Sequence, residues 1–92
     1  MTDLRKLARG MDCTVRIPGV CNFNPETTVL AHVRQVGISG MGRKAPDLLA
    51  AYACSACHEY CDTHRDAQTE LDFLRGVMRT QYLLIEGALV RW

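Results

Sequence analysis

The stretch Cys54-Ser55-Ala56-Cys57-His58 sets two thiols and an imidazole within five residues, directly after the apolar run Leu48 to Ala53. A CxxC turn lets two sulfurs converge on one tetrahedral ion, and the histidine behind it points elsewhere. Two jobs then share one turn. The first is to close a structural zinc site with thiols from elsewhere in the chain. The second is to offer an imidazole at the start of a helix to another ion or to a substrate. Taken alone, CxxC also fits a redox pair or chance spacing, so the surrounding sequence has to decide. A thiol oxidoreductase is disfavoured because nothing around Cys54 and Cys57 forms a βαβ pattern.

Downstream the pattern turns helical, with Ser55 as candidate N-cap and His58, Cys61, Asp62 and Arg65 along one face. His58 and Asp62, four residues apart, can grip one metal ion together, whereas His64 falls off that face and reads as surface. From Asp66 to Glu86, Leu71, Leu74, Val77, Met78, Tyr82 and Ile85 recur nearly all at spacings of three and four, the stripe of an amphipathic helix. Asp66 or Thr69 starts it and Gly87 ends it. This stripe is expected to be core, and Ala88 to Trp92 to form a short edge strand or tail.

Upstream, Leu48 to Ala53 is short, follows Pro46 and precedes the thiol turn, which favours a strand. Thr27 to Val33 is rich in β-branched and apolar residues and reads as a second strand, on which His32 shares a side with Arg34. Between the strands, residues 36–46 hold Gly37, Gly40 and Gly42 followed by Arg43 and Lys44. The glycine spacing does not match a nucleotide-binding loop, but a basic loop beside a strand histidine suits a polyanion. Cys13 to Cys21 is two β-prone pieces broken by Pro18-Gly19, a cysteine hairpin whose reversal can bring the two sulfurs together. Two buried thiols packing as small apolar groups are the alternative there. Thr2 to Gly10 reads as a short basic helix or arm suited to a nucleic-acid backbone.

Ninety-two residues bound the chain to one domain whose core alone gives marginal stability, so a cross-link or metal is expected. No charged segment followed by an apolar region stands at Met1, and no apolar run is long enough to cross a bilayer. The chain therefore reads as cytoplasmic, where paired thiols hold metal more often than they form disulfides. Five cysteines leave one over, so at least one is expected to be free. The net charge of +1 hides an asymmetry: residues 1–46 carry seven Lys or Arg against three acids, and residues 47–92 four against seven. Such a split can give one face a field that attracts phosphate.

In order, these signals are a cysteine hairpin, a strand with His32, a basic glycine-rich loop, Asp47 before a second strand, and CxxCH opening a helix. The composite resembles the HNH, or His-Me finger, nucleases of ββα-metal fold in their zinc-stapled variant. The segments RKLARG, VRIPGVCN, NPET, VLAHVR, PDLLA and ACSACH are similar to small phage and prophage nucleases of the YbcO type. The resemblance covers residues 1 to about 65 well and the last helix loosely. It implies an α+β fold over residues 1–92: a basic arm (1–12), a zinc-bound ββα core (13–65) and a C-terminal helix and tail (66–92).

The resemblance also assigns roles. Cys13, Cys21, Cys54 and Cys57 match the four structural zinc thiols. His32 matches the general base, Asp47 the middle residue that orients it, and His58 the last histidine. His58 and Asp62 would hold a catalytic ion such as Mg²⁺, Mn²⁺ or Ni²⁺, and Arg34, Arg43 and Lys44 the backbone of a DNA substrate. Two departures stand out. Ala31 occupies a position where many such enzymes carry a metal-binding Asp or His, so the ion would depend on phosphate oxygens. Asp47 replaces an Asn and adds a negative charge beside His32. The implied activity is metal-dependent endonucleolytic cleavage of DNA. The alternative is a noncatalytic zinc module that binds nucleic acid or a phage protein.

Overall fold

The computed structural model describes residues 4–33 and 47–87. Arg34, Arg43, Lys44, the rest of the glycine-rich loop and the tail of residues 88–92 lie outside the described residues. The architecture is a small α+β arrangement of three helices and a two-stranded sheet. In chain order it runs α1 (Leu4–Ala8), a 3-10 turn (Pro25–Thr27), β1 (Val29–His32), β2 (Ala50–Ala53), α2 (Ser55–Thr63) and α3 (Ala67–Glu86).

β1 and β2 are antiparallel, with Val29 opposite Ala53 and His32 opposite Ala50. Two strands on their own are at best marginal in water, so this pair depends on what covers it. Every residue of β2 is buried, and its three alanines leave room for layers to approach closely. α3 packs mainly on β2. On the edge of β2 away from β1, the backbone groups of Tyr52 are satisfied by two threonines in place of a third strand. Thr14 donates to the Tyr52 carbonyl from its N–H at 2.7 Å and from its hydroxyl at 3.0 Å. The Tyr52 N–H donates to Thr80 Oγ1 at 3.0 Å. Because a carbonyl only accepts, the Thr14 proton is committed to Tyr52, and the 2.8 Å contact between the hydroxyls must be Thr80 donating to Thr14. The ring is closed and buried, so each polar group in it has a partner.

Cys13 to Cys21 is not a strand hairpin. The Arg16 N–H donates to Cys13 Sγ at 3.5 Å, and the Ile17 carbonyl takes both the Val20 and Cys21 N–H groups. Donors that a ladder would have used are turned onto a sulfur and a single turn carbonyl. Gly19 at φ +76° permits the reversal that Pro18-Gly19 suggested. The cap of α2 also differs by one residue: Cys54 is the N-cap, its sulfur accepting from the Cys57 N–H at 3.4 Å, and Ser55 is the first helical residue.

α3 starts after Asp66 and stops at Gly87, as its cap residues predict, but it packs with the opposite face. Of the stripe expected to be core only Val77 is buried, beside Thr69, Gly76, Thr80 and Leu84, whereas Leu71, Leu74, Met78, Tyr82 and Ile85 are exposed. Close approach decides the matter. A Cβ on Gly76 would stand 2.9 Å from a Val15 methyl and 3.0 Å from its Cα, so only glycine fits at the point where the helix crosses Val15, and this fixes the face that packs.

Candidate active site and metal centre

Four cysteines distant in sequence meet at the junction of the turn after α1, the end of β2 and the start of α2. The sulfurs of Cys13, Cys21, Cys54 and Cys57 all lie within 4.8 Å of one another, and Cys21 is 3.8 Å from Cys54. With Zn–S bonds of about 2.3 Å, the edge of a tetrahedral four-thiolate site is about 3.8 Å, so this cluster can bind a metal such as zinc with little adjustment. Cys13, Cys54 and Cys57 are buried and Cys21 is half-buried. The N–H groups of Arg16 and Cys57 already aim at two of the sulfurs, those of Cys13 and Cys54.

Protonation states follow from the same surroundings. Burial raises the Cys21 thiol to about 11, with the Phe23 N–H opposing the shift and the Cys13 charge adding to it. Cys57 is raised further, again by burial first. Burial would also raise Cys54, but hydrogen bonds from the Cys57 and Asn22 N–H groups and from the neighbouring thiols outweigh it and bring Cys54 down to about 7. A cation entering the cluster must therefore displace protons from at least Cys21 and Cys57.

The second constellation is an open cleft. His32 from β1, His58, Cys61 and Asp62 from α2, and Glu70 and Phe73 from α3 all line it. His32 is positioned most tightly. Its Nε2 lies 2.7 Å from Asp47 Oδ1, and its side chain is 16% exposed. A carboxylate is an acceptor, so Nε2 carries the proton and the lone pair of a neutral ring is left on Nδ1. Asp47 is itself approached at 3.9 Å by Arg5 Nε of α1, which brings a cation to the far side of the pair. His58 Nε2 and Asp62 Oδ2 are 3.9 Å apart on successive turns of α2. That is within the roughly 4.2 Å at which two donors, each about 2.1 Å from an ion, can still share it.

The strand histidine and the histidine after the thiol turn thus face one space, and Asp47 is in contact with the first. Arg34, Arg43 and Lys44 are outside the described residues. The sequence reading left out three contributors. His64 lines the cleft with its ring stacked on Tyr60 at 3.8 Å, and its Nδ1 lies 3.0 Å from the Tyr60 carbonyl. The i, i+4 spacing of Tyr60 and His64 carried that signal. Glu70 reaches the cleft from the first turn of α3, and no motif marks it. Arg5 is visible only once α1 is packed. Cys61 shares the cleft, but burial and the Asp62 charge push its thiol up to about 11, so it stays a neutral packing group. Among the described residues the four thiols alone form a set of three or more such donors close enough to share an ion.

Comparison with known proteins yields a consistent set. The family described as "Putative nuclease YbcO" matches residues 2–87. Proteins named "Putative nuclease YbcO" from Escherichia coli and "Putative nuclease ybcO" from Enterobacteria phage 82 are each 53% identical over 95 residues, covering 99% of both chains. A solved structure of a putative bacteriophage protein from Escherichia coli superposes with a TM-score of 0.76 at 46% identity. That superposition covers 94% of this chain and 100% of the other.

Proposed function

The chain belongs to the YbcO family, and from that premise we propose that it is a metal-dependent endonuclease of the His-Me finger type. It would hydrolyse phosphodiester bonds of DNA with His32 as general base. The observation that carries this reading is the shared cleft: His32 and His58 line one space, with His32 held by Asp47 at 2.7 Å. The strand, strand, helix order of β1, β2 and α2 is what a ββα-metal core requires, and the thiol cluster supplies its staple. Residues 1–92 act as one nuclease domain, with residues 1–12 as a basic arm, 13–65 as the core and 66–92 as the supporting helix and tail.

Phosphodiesters resist hydrolysis because their charge repels an incoming hydroxide and their leaving alkoxide is poor. In the proposed mechanism the Nδ1 lone pair of His32 takes a proton from the attacking water. Asp47 holds the ring in the tautomer that frees Nδ1 and stabilises the imidazolium that forms. His58 and Asp62 would hold a divalent ion such as Mg²⁺, Mn²⁺ or Ni²⁺, which would supply positive charge against the negative charge on the phosphate and the departing oxygen. Ala31 has no donor atom to add to this pair, so the ion would depend on substrate oxygens. Arg34, Arg43 and Lys44 bind the flanking backbone by charge, which makes affinity salt-dependent. The phage relative supports a phage or prophage gene acting on DNA in the bacterial cytoplasm.

Incubation of the purified chain with supercoiled plasmid and each of those three ions tests the proposal. Conversion to nicked and linear forms, stopped by EDTA, is expected. Retention of the plasmid without any strand break under all three ions would leave a noncatalytic zinc module that binds DNA.

A further inference from the structure

The outer face of α3 has no partner within the described chain. Met78 and Tyr82 are 62% exposed, and Leu71, Leu74 and Ile85 about two-fifths. These five large apolar side chains fall on one side of a 20-residue helix, opposite the small-residue face that packs on the sheet. At roughly 200 Å² for a large side chain in full exposure, the stripe leaves about 500 Å² bare. Patches of that size on a small protein are commonly functional.

The spacing identifies what covers it. From Leu71 the steps are three, four, four and three, so the stripe reads the same in either direction about Met78. An isologous two-fold contact needs a patch that is complementary to itself after reversal, and this one is. Two antiparallel copies would set Met78 against the partner's Met78, Leu74 against the partner's Tyr82 and Leu71 against the partner's Ile85. Burying both stripes removes about 1,000 Å² from solvent, the lower bound for a specific interface. The stripe's steps of three and four also suit the shallow crossing of paired helices.

We propose that the α3 stripe is the interface of a two-fold homodimer of this chain, with Met78 on the symmetry axis. This goes beyond the nuclease reading and does not depend on it. Thr69 and Phe73 line the cleft from the opposite side of the same helix and Glu70 from its flank, so the contact through the stripe faces away from most of the cleft lining.

Sedimentation equilibrium of the intact metal-loaded chain gives the test. Twice the 10.3 kDa of one chain is expected at tens of micromolar. Met78→Glu should raise the dissociation constant at least tenfold, with unchanged metal content and helical circular dichroism. As an independent check, Met78→Cys should form an interchain disulfide on mild oxidation, because that position meets its own copy, and adding Tyr82→Glu should suppress it. A wild-type chain that stays at 10.3 kDa throughout that range overturns the proposal. So does a dimer that survives Met78→Glu, or a Met78→Cys chain that does not cross-link.

Discussion

The thiol cluster and the imidazole cleft sit at opposite ends of the first turns of α2, and they are built on contrary plans. At the cluster, four sulfurs from three segments converge, three of the cysteines are buried, and backbone N–H groups already point at two sulfurs. At the cleft, His58 and Asp62 are over a third exposed, stand 3.9 Å apart and have no third protein donor close by among the described residues. The contrast matches a general division: structural metal sites are closed by protein ligands, while sites that work on a substrate keep positions open. One short turn, CxxCH, contributes to both, Cys54 and Cys57 to the sulfur cluster and His58 to the lining of the cleft.

The sharpest way to break this contrast is to damage the closed site. Cys57→Ser should remove the bound metal and with it the cooperative thermal unfolding transition, since binding energy at a structural zinc site is about 10 kcal/mol or more and is spent on folding. A variant that melts normally without metal would show the cluster to be packing alone. Acid gives a graded version of the same test. Burial raises Cys21 to about 11 and raises Cys57 as well, so at neutral pH both are protonated in the metal-free chain. Protons compete with the ion, and affinity falls as pH falls, by about 100-fold per unit for two displaced protons. Competition against a chelator of known affinity at pH 6.5 and 7.5 measures that slope, and a flat response would rule out ligation by those two thiols.

Thr80→Val probes the scaffold between the two sites. It leaves the buried Tyr52 N–H and the Thr14 hydroxyl each short of a partner and should cost about 1–3 kcal/mol in denaturant unfolding, with metal content unchanged. Stability equal to wild type would mean that the threonine ring contributes nothing. The smallest expected effect belongs to the open site. Asp47→Ala should lower the cleavage rate by about 10- to 100-fold, the usual loss when an orienting partner is removed, while shifting stability little. A melting temperature that drops as far as that of Thr80→Val would make Asp47 a structural residue instead.

Legibility in the sequence followed locality. The bounds of α3 were readable because Asp66 and Gly87 act on their own turns, β1 because β-branched and apolar residues mark it, and β2 because its apolar run is short and lies between Pro46 and the thiol turn. The thiol pairs at 13, 21 and 54, 57 could be anticipated because a turn and a CxxC each bring two sulfurs together over a short span. What failed was non-local. Whether Thr14 to Ile17 would pair as a strand depended on Cys13 Sγ capturing the Arg16 N–H. Which face of α3 would be buried depended on how near Gly76 had to come to Val15, and hydrophobicity alone chose the wrong side. Glu70 joined the cleft through the packing of α3 beside α2, which no spacing encodes.

The claim on which the rest depends is that His32 removes a proton during cleavage and does nothing essential for the fold. Plasmid nicking by His32→Ala, measured beside metal content, melting temperature and DNA affinity, addresses it directly. The expected result is a loss of about 100- to 10,000-fold in cleavage, the range for a general base, with the other three properties close to wild type. Cleavage at the wild-type rate by that variant would contradict the account.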